Sequence, residues 1–245
     1  MDMSNVKVIF DNNVQKNVKK ITDAEGNIIW YKVPDGYRKV EYIETNGTNY
    51  IDPILKVNNI VMFEFEAKWE RLSLAEFSAL FWYRTQESNN YPSIMCLLNY
   101  ASANDDRFRM ANYANGKTST NSVPNTSGTN TVYYKTTGNR YNLNGTYYTY
   151  TQQDFNYSNM PNVDFYFPAR YLSGTDTVHQ FYAVRIYFFN IYSKTTGKPI
   201  RLFVPAKEDA TGKVGMLELL SGIFYERQGT GEFGYRENGI VVQPT

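Results

Sequence analysis

Three carboxylates, Glu64, Glu66 and Glu70, share the run Val61-Met62-Phe63-Glu64-Phe65-Glu66-Ala67-Lys68-Trp69-Glu70. Residues two apart on a strand point to the same face, and glycoside hydrolysis needs two carboxyl groups facing one bond. A solvated polar strand face is the simpler reading of the same letters. Other chemistry is sparse. His179 is the one histidine in 245 residues, so a Ser-His-Asp triad has at most one candidate base and a multi-histidine metal site is excluded. Gly229-x-Gly231-x-x-Gly234 matches the letters of a dinucleotide-binding loop. That loop needs a helix after it; here an aromatic β run precedes it, and a tight turn is expected. Asn104-Asp105-Asp106 offers oxygens of the kind Ca²⁺ takes but lacks the dense alternating ligands of a dedicated loop. No catalytic residue, metal ligand or cofactor is assigned. Tyr133, Tyr134, Tyr147, Tyr148 and Tyr150 cluster on both sides of an Asn144-Gly145 turn. On an exposed face they form a stacking platform for sugar rings; as cross-strand pairs they simply stabilise a sheet.

The elements that must position these residues are strands. Hydrophobic residues make up 42% of the chain and aromatic residues 16%, including 22 Tyr and 15 Phe. Flat aromatic side chains suit a pleated, half-buried surface, and the apolar content supports one large core. Val61, Phe63, Phe65, Ala67 and Trp69 alternate with Met62, Glu64, Glu66, Lys68 and Glu70, one apolar and one mostly polar face, so the first is expected in the core. Further strands are expected over Phe77–Tyr83, Ser93–Asn99, Phe108–Tyr113, Thr131–Thr136, Tyr147–Thr151, Val163–Phe167, Phe181–Tyr192, Ile200–Val204 and Phe224–Arg227. Asn144-Gly145 tolerates the positive φ of a two-residue hairpin turn. Only Leu72–Leu80 and Val214–Leu220 suit short helices. The Ser/Thr/Asn/Gly-rich stretch Ser119–Thr131 is expected as an exposed loop. No βαβ alternation occurs, so the class is all-β.

Residues 1–33 form a separate unit ahead of the Pro34-Asp35-Gly36 turn. Val6, Val8 and Phe10 alternate with polar residues, and Val18–Ile21 and Ile28–Tyr31 flank an Asp/Gly/Asn turn as a hairpin. Such a unit is too small to bury Val6, Val8, Phe10, Ile28 and Trp30 by itself. Those five are the candidate assembly interface.

A net charge of +1 with no basic run does not suit a nucleic-acid grip. No apolar run approaches the length of a membrane span, and the N-terminal residues lack a secretory pattern. The single Cys96, among Met95, Leu97 and Leu98, reads as an inert core residue.

Two stretches carry a resemblance. The first runs from Val33-Pro34-Asp35-Gly36-Tyr37 through Glu41-Tyr42-Ile43-Glu44-Thr45-Asn46-Gly47-Thr48-Asn49-Tyr50-Ile51-Asp52. The second holds Phe188-Phe189-Asn190-Ile191-Tyr192, Arg201-Leu202-Phe203-Val204-Pro205-Ala206, Gly212–Leu220 and Phe224–Phe233. They resemble the opening and closing patterns of concanavalin-A-like, laminin-G-like jelly-roll domains in structural proteins of tailed phages and prophages of gut bacteria. Lys207 stands where Arg is usual, and Met216-Leu217-Glu218 replaces Leu-Tyr-Asp.

The resemblance implies an antiparallel two-sheet jelly-roll sandwich over residues 34–245, preceded by the 1–33 hairpin module, with the opening and closing segments paired. It also implies a non-enzymatic virion protein, either a tail-associated adhesin or a capsid-decorating fibre. Such a protein displays a lectin-like domain, docks on other virion proteins through residues 1–33, is itself a homo-oligomer, and binds glycans. Some relatives of this fold hydrolyse β-glucans with a Glu-x-Asp-x-x-Glu strand; here Glu66 replaces the Asp and Glu70 falls at the wrong interval. The rival readings are a glycoside hydrolase and a ligand-free spacer.

Overall fold

The computed structural model describes residues 10–11, 14–15, 20–22, 28–31, 33–57, 61–70, 78–84, 93–102, 105–114, 117–124, 129–135, 140–149, 163–172, 177–179, 183–193 and 195–245. Among them there is no helix; the chain is all-β. The strand Val61–Glu70 fixes the architecture, because its alternation separates Phe63, Phe65, Ala67 and Trp69, all buried, from Glu64, Glu66 and Lys68 on the other face. It lies between Thr129–Lys135 and Arg185–Ser193 in the larger sheet. That sheet continues outward through Arg140–Leu143 and Thr146–Thr149 on one side, and through Pro199–Glu208, Val214–Glu218 and Phe224–Tyr225 on the other. The smaller sheet runs in the order Lys117–Pro124, Asp105–Ala114, Ser93–Ser102, Ser78–Arg84, Ala169–Leu172, Thr177–His179.

The two sheets share one core, consistent with a β-sandwich. Phe63 and Phe81 meet at 4.6 Å between ring centroids, Phe65 meets Phe81 at 5.8 Å, and Trp69 meets Phe108 at 5.9 Å. Phe165, Phe167 and Phe189 complete this aromatic centre. Burying a side chain of this size contributes on the order of 1.5–3 kcal/mol, and offset or edge contacts add to that. Cys96 is wholly buried in the same core, where burial pushes its thiol well above its ordinary value.

The opening and closing segments pair. Ile43–Glu44 lies between Arg185–Ser193 and Gly234–Glu237, Asn49–Ile51 pairs with Arg227–Gly229, and Tyr37–Lys39 pairs with Pro199–Glu208. Asn46 latches them together. Its Nδ2 donates to the carbonyls of Thr230 (3.0 Å) and Thr245 (2.7 Å), while its Oδ1 accepts from the amides of Thr48 and Asn49 and from the Thr48 hydroxyl. Gly231 sits under this latch with φ of +75°, and a Cβ there would strike Thr245 O and Asn46 Nδ2. The letters Gly229-x-Gly231-x-x-Gly234 are therefore a turn between two strands, with no helix behind them.

Four expectations need correction. Ser78–Arg84 and Ala169–Leu172 are parallel, Phe81 opposite Ala169, within otherwise antiparallel sheets. The chain between them passes through both sheets, and so long a crossover permits parallel entry. Val214–Glu218 is a strand, not a helix: all five residues are buried, so no alternation marks it. Lys117–Pro124 is an edge strand rather than part of a loop, paired along its length with Asp105–Ala114. Its Thr and Ser residues satisfy the ladder while keeping an edge polar, which protects against further pairing. Residues 125–128 of that stretch lie outside the described residues. Of Leu72–Leu80, the part from Ser78 is strand, and 71–77 lie outside the described residues.

In the first 33 residues, Lys20–Thr22 pairs with Ile28–Tyr31 across a bulge, and Phe10–Asp11 pairs with Val14–Gln15. Val6 and Val8 lie outside the described residues, as do the side chains of Phe10, Ile28 and Trp30. Val33 packs on a small second cluster of Val204, Ala206 and Leu217, beside Tyr37 and Phe224.

Candidate functional site

The face of the larger sheet turned away from the shared core carries the candidate site. Cross-strand register places Phe188 opposite Glu66, Glu66 opposite Tyr133, Tyr133 opposite Asn142, and Asn142 opposite Tyr147. One row thus crosses five strands. Tyr133 and Tyr147 are 36% and 65% exposed. They stand two strand spacings apart, roughly 9.5 Å, with the Asn142 amide between them. On its other side Tyr133 lies 6.2 Å from the Phe188 ring. The neighbouring row places Asn190 opposite Glu64.

Glu64 is clasped. The Tyr133 hydroxyl donates to its Oε1 and the Tyr192 hydroxyl to its Oε2, each at 2.7 Å, and Asn190 Nδ2 donates to Tyr192 Oη at 3.5 Å. Burial, and then the hydrogen bond to Glu64, hold both phenols well above their ordinary ionisation range. Glu66, half-buried one pleat further, has its carboxyl raised by burial. At the end of the face Arg185 Nε lies 3.1 Å from Glu44 Oε1, and its guanidinium sits 5.1 Å from the centre of the Tyr42 ring. Tyr187 meets Tyr42 edge-on at 5.6 Å. The face thus offers flat rings, carboxylate acceptors and amides, chemistry suited to a ligand rich in hydroxyls.

Of the five tyrosines singled out from sequence, the side chains of Tyr133, Tyr147 and Tyr148 are described, and they do not share one face. Tyr133 and Tyr147 share the outward row. Tyr148 is half-buried against the core and stacks on buried Tyr141 at 5.5 Å. Tyr134 stands in register between Phe65 and Tyr141, and its side chain lies outside the described residues. Tyr150 also lies outside them. The reason is strand periodicity: consecutive residues face opposite ways, so Tyr133-Tyr134 and Tyr147-Tyr148 cannot all serve one face.

Sequence reasoning missed Phe188, Asn190, Tyr192 and Asn142. The first three alternate along one strand, a usable signal, but nothing local says that Tyr192 reaches Glu64. Glu70 and His179 lie in strands whose side chains there are outside the described residues. Asp105 and Asp106 begin a strand, Asn104 lies outside the described residues, and no group of three metal-ligating side chains occurs among the described residues. Comparison with family models, with curated proteins and with solved structures finds no match to this chain.

Proposed function

We propose that this chain is a non-enzymatic, lectin-like virion protein that presents the outward face around Tyr133 and Tyr147 to glycans. The observation that carries the reading is the row Phe188–Glu66–Tyr133–Asn142–Tyr147, beside clasped Glu64. Two exposed phenol rings separated by an amide suit the apolar face of one sugar and the hydroxyls of the next, while the carboxylates accept from hydroxyls. A jelly-roll topology for the sandwich, and a phage virion as its setting, rest on the resemblance of the opening and closing segments. In this reading residues 1–33 attach the domain to other virion proteins, as a tail adhesin or a capsid-decorating fibre, and no metal or cofactor takes part.

One observation favours hydrolysis instead: Glu66, raised by burial, shares a face with Glu64, as an acid beside a second carboxylate would. Against it, both oxygens of Glu64 already accept from phenols.

A glycan array followed by titration calorimetry tests binding. The expected outcome is a ligand whose affinity falls at least tenfold in Tyr147→Ala, with the thermal midpoint unchanged because Tyr147 is exposed. Equal binding by wild type and Tyr147→Ala would remove the face from consideration. Gold labelling of intact particles tests the virion setting.

A further inference from the structure

We propose that two copies of this chain pair edge to edge through the strand Ile240–Val242, related by a two-fold axis at Val241. Among the described strands, Ile240–Val242 pairs with Gly234–Glu237 alone, and none of them covers its second edge. Natural edge strands are blunted by charge, proline or a bulge. This one has none of these within its length. Ile240, Val241 and Val242 are instead 68%, 45% and 39% exposed. Three β-branched apolar residues in a row, wet on both faces, mark a strand built to be covered.

The geometry specifies the register. Asn238 and Gly239 have φ of +50° and +82°, a two-residue hairpin turn in which both central residues are left-handed. Such a turn closes on a hydrogen-bonded pair, here Glu237 and Ile240. Antiparallel ladders alternate hydrogen-bonded and non-bonded pairs, so Val241 turns its N–H and C=O to that second edge. Val241 can exchange both bonds with Val241 of a second copy, which puts the symmetry axis at that residue and sets Ile240 beside the other copy's Val242. Val241 then faces its own counterpart, and the rest of the segment faces the same segment running in reverse. That is tolerable only where charges are missing, since like charges directly opposite repel. From Asn238 to Thr245 there is no charged side chain. The segment is self-complementary, which argues for a second copy over an unrelated partner. A strand-to-strand contact is small, so the dimer is a weak one.

Sedimentation velocity of the full chain over a concentration series is the test. Wild type should show a concentration-dependent monomer–dimer equilibrium. Val241→Lys should remain monomeric throughout, with circular dichroism and thermal midpoint unchanged. In parallel, mild oxidation of Val241→Cys should give a disulfide-linked dimer, because residues on the axis lie about 5.5 Å apart between Cα atoms. Ile240→Cys should cross-link far more slowly. Buried Cys96, the one native cysteine, supplies no background. A wild type that is monomeric at every concentration overturns the proposal. So does a dimer that survives Val241→Lys, or Ile240→Cys cross-linking as fast as Val241→Cys.

Discussion

Tyr192 donates its hydroxyl to Glu64 across 128 residues of sequence, at 2.7 Å. Together with Tyr133 it turns a carboxylate on an outward strand face into a fixed acceptor. Tyr192→Phe removes one of these donors and should cost about 1.5–3 kcal/mol, the scale of a hydrogen bond to a charged group. The pH dependence has a definite sign. The folded state holds the Tyr192 phenol protonated beyond its ordinary range. An unfolded phenol ionises near pH ~10. The contribution is therefore complete below that pH and is lost as pH rises toward the folded value. Denaturant midpoints of wild type and Tyr192→Phe should converge above about pH 10. A constant gap across that range would show that the bond carries no such linkage.

Glu66 supplies a prediction of opposite practical sense. Its carboxyl is raised by burial. A raised carboxyl stabilises the fold only where it is protonated. Its contribution is present at acid pH, below the unfolded value near ~4.3, and is lost as pH rises through the folded value. Glu66→Gln, neutral at every pH, should therefore raise the thermal midpoint at neutral pH and bring little gain in acid. The same variant decides the question of hydrolysis. Wild type is expected to release no reducing ends from β-glucans, so Glu66→Gln should have nothing to abolish. Release by wild type that disappears in the variant would make Glu66 an acid catalyst.

The latch between the opening and closing segments gives the third prediction. Asn46 makes five hydrogen bonds from one amide, two of them to carbonyls in the closing segment. At a net worth of ~0.5–1.5 kcal/mol for each of the five bonds, Asn46→Ala should cost at least about 2.5 kcal/mol. Gly231→Ala should be at least as harmful, since its positive φ and the approach of Thr245 leave no room for a Cβ. Chemical denaturation measures both. If Gly231→Ala were neutral, the latch would be looser than its geometry.

How far the sequence is legible follows from the same contacts. Phe63, Phe65 and Trp69 are readable as core residues because one face of their strand is buried and the other is not. Val214–Glu218 defeats the same reading. Met216 belongs to the central core and Leu217 to the second cluster, so both faces are covered and period two vanishes. Lys117–Pro124 hides for the opposite reason, since an edge strand can be almost wholly polar and still complete its ladder. The candidate site shows the limit of local reasoning. Tyr133 and Tyr147 are legible as a pair around the Asn144-Gly145 turn, whereas the Tyr192–Glu64 contact exists only because distant strands become neighbours.

The last prediction concerns the first 33 residues. Val33 packs on Val204, Ala206 and Leu217, so a shortened chain should keep it. A chain beginning at Lys32 keeps that contact, together with the Tyr37–Phe224 ring pair at 5.3 Å. The sandwich core draws on residues from Val40 to Phe233, so such a chain should fold with a cooperative transition near that of the full chain. Leaving Val6, Val8, Phe10, Ile28 and Trp30 in water would be costly, at about 1.5–3 kcal/mol for each large apolar side chain. Assembly onto other virion proteins is the use proposed for them. The shortened chain should therefore retain glycan binding yet fail to incorporate into particles, as measured by labelling of purified particles. Normal incorporation would assign attachment to the sandwich itself. Failure to fold would make residues 1–31 part of the domain rather than its anchor.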